Sequence, residues 1–189
     1  MKTTLLVMAA VLADCLCAPL AVSEGAIADD QAVLTVAVKH FLAQPDSVFG
    51  SRGLVVVDAQ TAVVTSDLDA ATLSASYQSH HISVPKTALN DFLARNRARQ
   101  PSPALGNVGA TVKLESDPEN VLSLSEKLKT HVQTILSLRV PGYTPDRNTA
   151  LVMFEFTWSA MHSGQAYYLL KRSPTHTWVV SASDMDIYL

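Results

Sequence analysis

From Ala150 onward the chain alternates apolar runs with short polar breaks. Ala150 to Trp158, Ala166 to Leu170 and Trp178 to Ala182 each have the length and residue types of a strand, and the breaks between them suit hairpins. This pattern predicts an antiparallel meander across the stretch Tyr143 to Leu189. Within the first run a period of two puts Phe154, Phe156 and Trp158 on one face and Met153, Glu155 and Thr157 on the other. The aromatic face is expected to be core. The Glu155 face is expected to point outward, as solvated sheet surface or as the wall of a cavity.

Upstream the period lengthens. Asp29-Asp30 precede apolar positions Val33, Leu34, Val36, Ala37, Val38, Phe41 and Leu42, which predicts a capped helix with a broad packing face, ended by Pro45. Gly50 to Gly53 reads as a turn, Leu54 to Val57 as a buried strand and Ala62 to Thr65 as its hairpin partner. Asp67 to Ser79 is polar and shows no clear period. Ser83-Val84-Pro85 predicts a second helix, with Leu89, Phe92 and Leu93 as its stripe and Arg95, Arg97 and Arg99 at a solvated end. Gln100 to Gly106 is a loop. Ala110 to Leu114 reads as a strand. Asp117-Pro118 opens a third helix carrying Val121, Leu124 and Leu128, and Val132 to Val140 is the first strand of the C-terminal sheet.

Together these elements imply an α+β fold: an antiparallel sheet with a C-terminal β-meander and helices packed on one face. A curved sheet of the cystatin-like or nuclear-transport-factor-2-like kind is possible by analogy. The 189 residues suit one such domain, and 48% apolar against 16% charged residues is material for a substantial core. The net charge of −3 gives no electrostatic footprint for a nucleic-acid partner.

Part of the apolar excess lies at the start. Lys2 is followed by an unbroken apolar run from Leu5 to Leu12, then small residues, the order of a signal peptide. Ala26-Ile27-Ala28 offers a cleavage site before Asp29, and Ala21-Val22-Ser23 is the alternative. Asp14 interrupts the run before it reaches the roughly 20 residues of a spanning helix. Leu12-Ala13-Asp14-Cys15 has the outline of a lipobox, with Asp14 where a small residue is expected. The expected organisation is residues 1–28 as signal peptide and 29–189 as one domain, periplasmic or secreted, touching the membrane only through the signal segment. Cleavage after Ala28 removes Lys2, Asp14 and Glu24, leaving a net charge of −2, and removes both cysteines, Cys15 and Cys17. The mature chain would then lack disulfide, thiol nucleophile and thiolate metal ligand.

The remaining chemistry is sparse. Six histidines include one adjacent pair, His80-His81, which reads as polar loop, and no H-E-x-x-H. Ser83-Val84-Pro85-Lys86 matches S-x-x-K without its partner motifs, and the proline reads better as a helix start. Phosphate-binding glycine loops are absent, so no metal and no cofactor is expected. Glu155, a carboxylate inside an apolar strand, is the candidate binding residue, with His162 beside it.

The C-terminal part carries a resemblance. Leu136-Ser137-Leu138-Arg139, Gly142-Tyr143-Thr144-Pro145-Asp146, Ala150-Leu151-Val152, Ser163-Gly164-Gln165, Leu169-Leu170-Lys171-Arg172 and Thr177-Trp178-Val179-Val180 resemble a pattern found in a broad group of uncharacterised exported bacterial proteins. The match covers about the last quarter of the chain. This chain has Ser159 to Gly164 where the group carries paired glycines, and Thr175-His176-Thr177 before the tryptophan. The resemblance implies export and no particular activity. The functional expectation is therefore a non-enzymatic binding or interaction module for a protein, glycan or small ligand. The alternative is a hydrolase pairing Glu155 with the sequence-distant His162 or His176, and an assembly subunit using a free sheet edge is a third class. N-terminal sequencing of the exported chain is expected to begin at Asp29. A start at Glu24 identifies the alternative site, and an uncleaved Met1 refutes the signal peptide.

Overall fold

The computed structural model describes residues 24–44, 53–65 and 68–188. Residues 1–23 with both cysteines, Pro45, Gly50 and Asp67 lie outside them, whereas Ala26-Ile27-Ala28, the expected cleavage site, falls within the first turns of the first helix. Among the described residues the order is α1 (Glu24–Leu42), β1 (Leu54–Asp58), α2 (Ala70–Ser79), α3 (Lys86–Arg95), β2 (Val112–Glu115), α4 (Val121–Leu128), β3 (Val132–Leu138), β4 (Gly142–Tyr143), β5 (Thr149–Thr157), β6 (Ser163–Arg172) and β7 (Trp178–Tyr188). None of these helices is long and apolar enough to cross a membrane. The strands form one seven-stranded sheet in the order β2-β1-β3-β5-β6-β7, with β4 paired to β5. The α+β class and the C-terminal meander stand: β5, β6 and β7 pair antiparallel in sequence order.

Strand β5 shows why the core divides in two. Its even positions, Ala150, Val152, Phe154 and Phe156, pack with Ala166 and Tyr168 of β6 against α1. Phe41 of α1 sits edge-on to Phe154 at 5.3 Å and tilted against Phe156 at 4.7 Å. Burying Phe41 alone contributes about 1.5–3 kcal/mol. The odd positions Leu151 and Met153 pack with Tyr167 and Leu169 against Leu73 and Tyr77 of α2 and Leu89 and Phe92 of α3. Helix α4 joins that second face through Val121 and Leu124 against Val56 and Ile135. Helices therefore cover both faces, α1 one and α2, α3 and α4 the other, where one face was expected. The physical reason is that β5 is apolar at both periods, so each side needs a cover. Phe154 and Phe156 are core as expected. Met153, expected outward, is 3% exposed.

The sheet is mixed. β1 runs parallel to β2 on one side and to β3 on the other, which leaves no edge for the expected hairpin with Ala62 to Thr65. That segment is extended chain instead: Ala62 N–H donates to the Leu138 carbonyl at 2.8 Å and Val64 N–H to the Asn96 carbonyl at 2.9 Å. Helix α2, unseen in the sequence, is capped by Asp69, whose side chain accepts from Thr72 N–H at 2.8 Å. Asn120 rather than Asp117 caps α4. Ser83 makes no cap for α3, which follows Pro85 directly. A Cβ on Gly142 would strike the Ala88 carbonyl and Phe92, so only glycine lets α3 rest on β4.

Asp29 and Asp30, expected as caps, lie inside α1 and reach arginines. Asp30 receives both ends of the Arg95 guanidinium, at 3.0 and 2.7 Å, and the Tyr143 hydroxyl at 2.9 Å. Burial works against the Arg95 charge, but Asp30 more than offsets it and holds the guanidinium above its usual value. Arg95 is thus a half-buried tie to the buried Asp30 and not a solvated helix end. Asp29 pairs with Arg147 at 3.0 Å and with Arg172. Arg147 and Arg172 lie over the rings of Tyr143 and Trp178 at 4.2 and 4.6 Å. Arg95→Ala leaves the buried Asp30 carboxylate without its ion partner and is expected to cost about 3–5 kcal/mol by denaturant unfolding; a loss under about 1 kcal/mol, the worth of a surface pair, would refute a tie of this kind.

Candidate functional site

On the face of β5 that α2 and α3 cover, the side chains change character one row beyond the helices. The row Met153–Tyr167 is buried. The next row runs Ser137, Glu155, Gln165, Asp186 across β3, β5, β6 and β7. These four polar residues share the face because each stands two positions from a residue of the covered row or its continuation. Ser137, Glu155 and Gln165 floor one side of a cleft of about 570 Å³, walled by Thr72, Leu73 and Ser76 of α2 and by the extended 61–65 segment. A larger cleft of about 690 Å³ lies beside His131. It is bordered by Ala43 and Gly53, which flank residues 45–52, so the described residues do not define its extent.

Arg139 is the deepest charge in the first cleft. It follows β3 directly, and its side chain is 7% exposed. One guanidinium nitrogen, Nη2, donates to Glu155 Oε1 at 2.6 Å. Nε and Nη1 are buried with no acceptor among the described residues. Glu155 itself remains 44% exposed. It is therefore neither a fully solvated strand residue nor a buried acid: one oxygen holds Arg139 and the carboxylate faces the cleft. Arg99 and Asp58 stand at the same cleft. Arg99 has only a 3.7 Å pairing with the exposed Asp117, worth little in water.

At the β7 end the row is closed by His80. Read as polar loop, it is the C-cap of α2, and its side chain is 10% exposed. Nδ1 lies 3.0 Å from Asp184 Oδ2 and Nε2 3.2 Å from Asp186 Oδ2. The ring stacks on Tyr167 at 4.5 Å. The Tyr167 hydroxyl is 2.8 Å from Gln165 Oε1 and 3.2 Å from Asp186 Oδ2. Both imidazole nitrogens are thus occupied, so His80 has none left to act as a general base. It acts as a clasp from the end of α2 to the edge strand.

Glu155 and His162 are not brought together. The His162 ring stacks on Trp158 at 5.7 Å, and Trp158 stacks on Phe156, on the α1 face of the sheet. Glu155 points to the opposite face. His176 lies in the β6–β7 turn, beside Arg172, in a separate cleft. His162 does meet a hydroxyl: Ser159 Oγ is 2.7 Å from its Nδ1. That oxygen also accepts from the His162 and Met161 N–H groups at 3.0 and 3.3 Å, which is turn chemistry. No carboxylate contacts the His162 ring among the described residues. A group of three or more metal-ligating residues is likewise absent among them. Arg139 and His80 were missed in the sequence. Arg139 had one legible signal, a charge set between Leu138 and Val140. His80 had none, since its partners are more than 100 residues away.

Comparisons of the chain with protein-family models, with curated proteins and with solved structures find no match.

Tyrosine titration probes the enclosure of this region. Burial raises the phenols of Tyr77, Tyr143, Tyr167 and Tyr168 well above their ordinary value, and in Tyr167 the neighbouring Tyr188 and Asp186 add to it. Tyr188 is raised by burial, then by Asp186 and Glu155. These are all five tyrosines of the chain. Folded protein therefore keeps phenol protons that the unfolded chain gives up from about pH 10. The stability this contributes is complete below that pH and falls as pH rises beyond it. Ultraviolet difference absorbance is expected to show no tyrosinate in folded protein at pH 10 beyond that of the exposed Tyr188, then a cooperative rise coincident with loss of near-ultraviolet dichroism. Gradual titration of most phenols at pH 10 in folded protein would refute the enclosure.

Proposed function

We propose that the chain is an exported, non-enzymatic binding module whose small polar ligand sits in the cleft between α2 and the row Ser137–Glu155–Gln165. The observation that carries this reading is Arg139: a side chain more than nine-tenths buried, lining a cleft, with two guanidinium nitrogens that find no acceptor among the described residues. Unpaired buried donors are costly and need an explanation, and a ligand acceptor supplies one. The size also suits: about 570 Å³ lies within the range of small-molecule sites, and the lining mixes an apolar wall with a few convergent polar groups. The hydrolase alternative has less support. Its acid and its histidines stand on different surfaces, and the best-placed histidine in the cleft region, His80, is engaged at both nitrogens.

A thermal-shift panel of organic acids, amino acids and mono- and disaccharides tests the reading. At least one class is expected to raise Tm, and Ser76→Trp, which fills the cleft from α2 without touching the polar row, is expected to abolish that rise. A panel with no shift in any class, or a shift that survives unchanged in Ser76→Trp, overturns it.

A further inference from the structure

We infer that the ligand of this cleft is a small organic carboxylate, and that Glu155 is its built-in competitor. The inference rests on the reading of the cleft as a ligand site and adds the chemistry of what it holds. Three features of the Arg139–Glu155 pair point this way.

First, the cleft already accommodates a carboxylate on Arg139, that of Glu155 at 2.6 Å. Second, the pairing is incomplete. Arginine prefers to meet a carboxylate through two parallel N–H groups, and such forks are the stronger form. Here a single nitrogen, Nη2, is used, while Nε and Nη1, the nitrogens that would complete a fork on either side of it, have no acceptor among the described residues. A carboxylate free to approach along the fork axis completes what Glu155, tethered to β5, does not. Third, the two partners differ in burial. Arg139 is 7% exposed and Glu155 44%, so Glu155 can turn into water at low cost while Arg139 stays buried and keeps needing an anion. Arg99 lines the same cleft with no close partner among the described residues, which suits a second carboxylate at the far end of the ligand. The hydroxyls of Thr72, Ser76 and Ser137 and the amide of Gln165 supply further hydrogen bonds along the way.

Binding then exchanges one carboxylate for another on the same guanidinium. Glu155 leaves Nη2 for solvent, and the ligand carboxylate takes Nη2 together with Nε or Nη1. Charge at the buried arginine stays neutralised throughout. A merely structural Arg139–Glu155 pair predicts that removing either partner harms the protein in the same direction. An internal competitor predicts opposite effects on binding.

Isothermal titration with succinate, acetate and inorganic phosphate at neutral pH and low salt reads this directly. Succinate is expected to bind the unaltered protein, and Glu155→Gln is expected to tighten it by about tenfold or more, the equivalent of about 1.4 kcal/mol. Arg139→Gln is expected to abolish binding. Because Arg139→Gln can fail to fold, Arg139→Lys serves beside it: it keeps the charge, lacks the fork, and is expected to bind succinate at least about tenfold more weakly. Weaker or unchanged succinate binding in folded Glu155→Gln overturns the competitor role. Phosphate binding as tight as succinate overturns the carboxylate class in favour of anions in general. A thermal shift with a saccharide and none with any carboxylate overturns this inference and leaves the cleft reading standing, whereas no shift with any class removes both.

Discussion

Two consecutive carboxylates, Asp29 and Asp30, meet three arginines that come from α3, from the β4–β5 turn and from β6. Helix α1 lies on one face of the sheet and α3 on the other, so the Asp30–Arg95 pair is a bridge around its end. Such a bridge is strongly directional: both oxygens, both guanidinium ends and the Tyr143 hydroxyl are fixed at once. Apolar packing alone would let α1 slide along its broad face. The ion pairs set where along the sheet it stops, and with it the alignment of Phe41 between Phe154 and Phe156. Buried pairs of this kind contribute specificity more surely than net stability.

The opposite face is governed by where coverage ends. α2 and α3 seal the sheet over Leu151 and Met153, and one row further the strands carry Ser137, Glu155, Gln165 and Asp186. A sheet face that is half apolar and half polar makes a cleft at the border, since a helix docked on the apolar half overhangs the polar half. His80 fixes how far α2 overhangs, by holding its C-terminal end to Asp184 and Asp186. The cleft is thus a by-product of a single change in side-chain type along the β-strands, and Arg139 sits at that border.

Legibility in the sequence followed the range of the interactions. β5, β6 and β7 were readable because their pairing is between neighbours and their period is two. The inner placement of Phe154 and Phe156 came from the same signal. The parallel pairs of β1 were not readable: Leu54 to Val57 looks the same whether it joins a hairpin or lies between two distant strands. α2 was hidden because only Leu73 and Tyr77 are buried on it. The Asp69 cap and that four-residue spacing were the available signs, outweighed by Thr72, Ser74, Ser76, Gln78 and Ser79 around them. The covered side of Met153 was misread because period two identifies two faces without saying that both have covers. Glu155 stands out in the sequence as a carboxylate inside an apolar strand, but its partner Arg139 and the separation from His162 depend on tertiary structure.

The register of β1 also sets an order of assembly. β5, β6 and β7 pair with the strands next to them in sequence, and such hairpins form in microseconds. β1 pairs with nothing nearby; its ladders run to Val112–Glu115 and to Val132–Leu136. On a growing chain, Leu54-Val55-Val56-Val57 emerges early and stays without a strand partner until β2 has been made, and its other side stays open until β3 follows. Non-local pairings of this sort slow folding, because loop closure must precede the contacts that reward it. The β-branched run meanwhile is the kind of segment that seeks other chains. The segment most prone to seek other chains is therefore also the one whose enclosure waits on the longest stretch of chain made after it.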